Sequence, residues 1–110
     1  MSNGQFRTLL GHIRHMAGSP AGGLTDAELL ERYVQGADRA AFEVLLWRHG
    51  GLVWNACRRI LRGEQDAEDV FQATFLILVR KAGSIGQRQS LGSWLYKVAV
   101  RLALQEANPA

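Results

Sequence analysis

Several things are scarce in this chain. It holds one cysteine, Cys57, so no internal disulfide can form. Its two prolines, Pro20 and Pro109, fall in a linker and after the last expected helix. No apolar run reaches the roughly 18–20 residues that a membrane span needs. The start, Met1 to Phe6, lacks the basic-then-apolar pattern of a secretory signal. A single thiol and no export signal point to a reducing, cytoplasmic setting. Alternating strand patterns and internal repeats are also missing, which leaves an all-α reading.

What is present suits one small domain: 110 residues, 47% of them apolar and 21% charged. The net charge of +3 is unevenly spread. Residues 1–78 carry eight Lys/Arg against nine Asp/Glu, a balance of −1. Residues 79–110 carry five (Arg80, Lys81, Arg88, Lys97, Arg101) against one (Glu106), a balance of +4. The C-terminal third is therefore the face for a polyanion, or else a solvated helix surface.

Residues 1–23 read as an N-terminal extension, with Phe6, Leu9, Leu10, Ile13 and Met16 at helical spacing, then a Gly-rich linker. The folded body should span 24–107, leaving 108–110 as a tail. Thr25 and Glu28 form a capping box for a helix ending near Gly36. Asp38 caps a second helix along Phe42, Leu45, Leu46 and His49. Gly50-Gly51 is a candidate break, and Val53, Ala56, Cys57 and Ile60 continue the pattern. His49 is expected to cap or pack at that junction.

A third helix should run from about Asp66 to Ala82, with Asp66, Glu68 and Asp69 in its first turn and Arg80 and Lys81 in its last. Gly83 is the expected C-cap. After a polar loop, Ser90 caps a last helix to about Ala107. The expected fold is a small bundle of about four main helices.

At 100° per residue, Ala67, Thr74, Phe75, Leu78 and Ala82 share the buried face of the third helix with Phe71. Asp69, Gln72, Ala73, Leu76 and Arg80 fall opposite. An apolar patch edged by polar groups suits a transient protein interface. Packing of Leu76 and Ile77 beneath the N-terminal segment fits the same wheel. In the last helix Leu91, Leu95, Val98, Ala99 and Leu102 form the core face. Trp94, Lys97 and Arg101 make a row along its edge. Two cations and an indole can neutralise phosphates and stack on an unpaired base. A core anchor with a solvated cation pair fits the spacing too. The loop before them (Gln87, Arg88, Gln89, Ser90) offers groups that read base edges.

Enzymatic motifs are lacking, with no P-loop, HExxH or GxSxG. His12 and His15 have no further ligand, so no metal or cofactor is expected. Cys57 reads as a buried, inert thiol.

Three segments in order, Asp38–Glu43 with Leu46-Trp47-Arg48-His49, then Asp66–Phe75, then Ser93–Ala99, resemble region 2 of the bacterial sigma-70 family in its extracytoplasmic-function branch. The resemblance covers residues 24 to about 106. It implies a transcription initiation factor domain and not an enzyme. Its third helix, region 2.2, would dock on the clamp helices of the RNA polymerase β′ subunit through Asp66, Asp69, Gln72, Ala73 and Leu76. Regions 2.3 and 2.4 would recognise the promoter −10 element and trap melted, single-stranded non-template bases. Those roles fall on Gln87, Arg88, Gln89, Ser90, Ser93, Trp94, Lys97 and Arg101. An anti-sigma protein is a further implied partner; a membrane is not.

Family members often carry Asn where this chain has Arg101 and an acidic residue where it has Gln105, which bears on which −10 bases are favoured. The family's helix-turn-helix for the −35 element is not among these residues, so the expectation is an excised or truncated region 2 domain. The alternative is a helical protein-interaction module without DNA binding.

Overall fold

The computed structural model describes residues 23–85 and 90–108, all of them helical or in turns and short connections. The main elements are α1 (Asp26–Gly36), α2 (Arg39–Ile60), α3 (Glu64–Lys81), a 3-10 turn (Ala82–Ser84) and α4 (Leu91–Ala107). The all-α expectation holds. The chain groups into two compact units divided between Arg48 and His49, although α2 runs through the division.

In the first unit the capping box forms as the sequence implies. The Glu28 amide donates to Thr25 Oγ1 at 3.1 Å, and the Thr25 amide donates to Glu28 Oε1 at 2.9 Å. Donation from the Thr25 amide, and after it from the Thr25 hydroxyl, holds the Glu28 carboxyl below the usual carboxylate range. After Gly36 the chain turns at Ala37, which takes a left-handed φ of 51°. Asp38 then caps α2 by accepting from the Ala41 amide at 3.2 Å. Tyr33 packs on Phe42 with ring centroids 5.0 Å apart. Asp26 and Arg48 form an ion pair at 3.1 Å.

Gly50-Gly51 neither breaks nor caps anything: α2 is continuous from Arg39 to Ile60. Two glycines cost a helix only about 1 kcal/mol each. The apolar register passes straight through them, with Val53, Ala56 and Cys57 all buried. His49 therefore lies inside a helix and is half-buried.

In the second unit Ala67, Phe71, Thr74, Phe75, Leu78 and Ala82 are buried, as the wheel requires. Thr74 satisfies its hydroxyl by donating to the Val70 carbonyl at 2.8 Å. An aromatic ladder joins Trp54 to Phe71 edge-on at 6.1 Å, and Phe71 to Phe75 at 5.1 Å. Against this, α3 packs α4 through Leu91, Leu95, Val98, Ala99 and Ala103.

Several expectations need correction here. α3 starts at Glu64, two residues early, so its first-turn acids are Glu64 and Asp66. Glu68 is instead in the second turn and only 2% exposed, and its Oε1 has no hydrogen-bond partner. Gly83 is not a left-handed C-cap; α3 tightens into the 3-10 turn, where the Ser84 hydroxyl donates to the Lys81 carbonyl at 3.0 Å. Leu102 is half-buried, and Ala103 takes the core position. Among the described residues no helix is long and apolar enough to cross a bilayer.

Candidate functional site

Both candidate surfaces lie in the second unit. Asp66 and Asp69 are exposed on α3, and Gln65 Nε2 donates to Asp69 Oδ1 at 3.2 Å. Gln72 is exposed and Ala73 half-buried. Leu76 is 60% exposed, a large apolar side chain left in water in the middle of this face. The structure thus brings Asp69, Gln72, Ala73 and Leu76 onto one outward stripe, with Asp66 at its N-terminal end. Val79, three residues on and exposed, extends the stripe and was missed by the sequence reading. Its spacing from Leu76 was the available signal.

α4 begins where Ser90 says it should. The Ser93 amide donates to Ser90 Oγ at 3.2 Å, and the Trp94 amide to the Ser90 carbonyl at 3.0 Å. With the helix start pinned, its periodicity sets every later side chain. Leu91, Leu95, Val98 and Ala99 go inward. Trp94 is half-buried; Ser93, Lys97 and Arg101 are exposed. The core-anchor and stacking readings of Trp94 therefore meet: part of the indole is held by the fold and part reaches the surface. Lys97 and Arg101 follow it at three and seven residues, so the three share one edge of α4. Tyr96 is also exposed, one position off this row. Gln87, Arg88 and Gln89, named from the sequence, lie outside the described residues.

Chemically, the row offers two cations and an aromatic face. Among the described residues no group of three His, Cys, Asp or Glu side chains could hold a metal ion. Cys57 is buried, and desolvation pushes its thiol up to about 11.

Residues 45–108 match the family model for sigma-70 region 2. The chain is 36% identical over 86 residues to the ECF RNA polymerase sigma factor SigM of Mycobacterium tuberculosis strain H37Rv, covering 78% of this chain and 43% of that one. It is 31% identical over 78 residues to the RNA polymerase sigma-H factor of Pseudomonas aeruginosa, covering 71% and 40%. The RNA polymerase sigma factor CarQ of Myxococcus xanthus is 36% identical over 74 residues, covering 67% and 42%. The chain thus spans less than half the length of these relatives. Among solved structures it resembles an engineered region 2 of sigmaE, determined by NMR in complex with GTAAAA. The TM-score is 0.66 at 34% identity, covering 76% of this chain and 85% of that one.

Proposed function

The chain belongs to the sigma-70 region 2 family, and from that premise we propose that it is a transcription initiation domain with two working surfaces. The domain proper is residues 24–107. The outer stripe of α3 (Asp66, Asp69, Gln72, Ala73, Leu76) docks on the β′ clamp helices of core RNA polymerase. Ser90, Ser93, Trp94, Lys97 and Arg101, with Gln87, Arg88 and Gln89 ahead of them, engage the opened non-template strand of the −10 element. Region 2 domains of this family are not enzymes. An anti-sigma protein covering either surface would silence the domain. Its working place is the cytoplasm, where polymerase and DNA are.

The observation that carries this reading is the α4 row. It sets a half-buried indole beside two exposed cations, in a fold shared with a region 2 that was solved with GTAAAA. Strand capture needs no cofactor. Each base stacked on an aromatic ring contributes about 1–3 kcal/mol, and the cations release counterions from the phosphates.

The test is fluorescence anisotropy with a single-stranded −10 oligonucleotide, comparing the parent chain with Trp94→Ala and Lys97→Ala. Both variants should bind several-fold more weakly, and binding should weaken with salt. Equal binding by all three proteins removes the DNA assignment.

A further inference from the structure

The α4 row does not hold all of the second unit's exposed cations. Arg58, Arg59 and Arg62 crowd the C-terminal end of α2, and all three are exposed. Among the described residues none of them has a carboxylate within ion-pair distance. Complementing the helix dipole accounts for part of this, since Arg58 and Arg59 occupy the last turn. Arg62 lies beyond the helix, so the dipole does not account for it.

Arg58 is held in place. Its guanidinium lies 6.0 Å from the centre of the Trp54 ring, and its Nη1 donates to the Arg62 carbonyl at 3.4 Å. A fork fixed in this way loses less freedom when it grips an oxyanion. Asn55, Arg58, Arg59 and Arg62 give the patch a polar surface, bordered by exposed Glu64 and by Asp66, whose carboxylate lies against Gly63. Protein interfaces need a desolvated apolar core, whereas phosphate-backbone contacts are polar and cationic.

The patch also lies on a helix that touches the start of α4. The ring of His49 lies against Gly92, which puts the start of α4 beside α2 at position 49. Arg58 stands nine residues past His49, and Arg101 nine past Gly92. At about 1.5 Å per residue, each lies about 14 Å along its own helix from that shared contact.

We infer that Arg58, Arg59 and Arg62 form a second phosphate-binding surface, which holds the backbone of double-stranded DNA adjoining the strand opened on α4. This rests on the DNA reading of α4 given above. The duplex continues past Arg101 and its phosphates meet the arginine forks.

The experiment uses the full chain and two probes: the single-stranded −10 oligonucleotide, and the same strand extended by a duplex segment. Binding is measured across a salt series for the parent, Arg62→Ala and Arg59→Ala/Arg62→Ala, with thermal unfolding followed alongside. Arg62 is outside any helix, so its variant keeps the test valid if the double variant folds poorly. The double variant should lose about 10- to 30-fold on the extended probe at about 0.15 M salt, and its salt slope should flatten by about 1.8. Arg62→Ala should flatten it by about 0.9. Neither should change binding to the single strand.

Unchanged slopes and affinities on the extended probe overturn the inference, as does a parent that binds both probes equally. Loss of polymerase capture with DNA binding intact also overturns it and assigns the patch to an acidic protein. Trp94→Ala on the single-stranded probe tests the α4 reading separately, so the two failures appear on different probes.

Discussion

The imidazole of His49 lies 3.5 Å from the point where a β-carbon on Gly92 would stand. This contact ties the first turn of α4 to the middle of α2, and so sets the position of the Trp94–Lys97–Arg101 row. A methyl group at 92 would meet the ring in ordinary van der Waals contact, whereas a branched side chain would push it away. Gly92→Ala should therefore bind a single-stranded −10 oligonucleotide within about twofold of the parent. Gly92→Val should lose about 1–3 kcal/mol of stability through overpacking and bind more weakly. Paired thermal melts and anisotropy measurements check both.

Glycine and alanine are exchanged relative to what the backbone prefers at two places. Ala37 takes φ 51°, which suits glycine, and Gly51 sits exposed inside α2 with nothing within 4 Å of a built β-carbon. Ala37→Gly should raise stability by up to about 1 kcal/mol by relieving the left-handed penalty. Gly51→Ala should add about 0.5–1 kcal/mol. The two changes are distant along the chain and should add in chemical denaturation.

The Cys57 thiol is raised from 9.0 to about 11 by burial. Between those values the unfolded chain releases a proton that the folded chain keeps, so folding stability falls as pH rises from about 9 towards about 11. Below 9 the group contributes no pH dependence. Denaturant midpoints from pH 8 to 10.5 should show this decline, and Cys57→Ala should remove that share of it. A thiol reagent at pH 8 should label Cys57 only as fast as the protein opens.

Much of the fold was legible because helical period and capping chemistry act locally. Thr25, Asp38 and Ser90 each cap the helix the sequence assigns them. The buried face of α3 follows from 100° per residue alone. Glu68 shows where the reading gave way. Three residues before Phe71, it falls about 60° from that ring on the wheel, on the buried side. Its charge argued for water, and packing prevailed over charge. Gly50-Gly51 went wrong in the opposite way, when a local propensity was allowed to outweigh an unbroken apolar register. On the candidate site, exposure of Leu76 and Lys97 could be read from spacing. The partial exposure of Trp94 could not, because it depends on how deeply neighbouring helices bury one edge of α4.

The central claim is that two faces of one helical unit do separate jobs. It is tested most directly by measuring polymerase capture and −10 strand binding on the same two variants, Asp69→Lys and Lys97→Ala. Asp69→Lys should abolish capture by bacterial core RNA polymerase and leave single-strand affinity within about twofold, while Lys97→Ala should do the reverse. If neither change affects capture, or if each impairs both activities alike, the division of labour between α3 and α4 is contradicted.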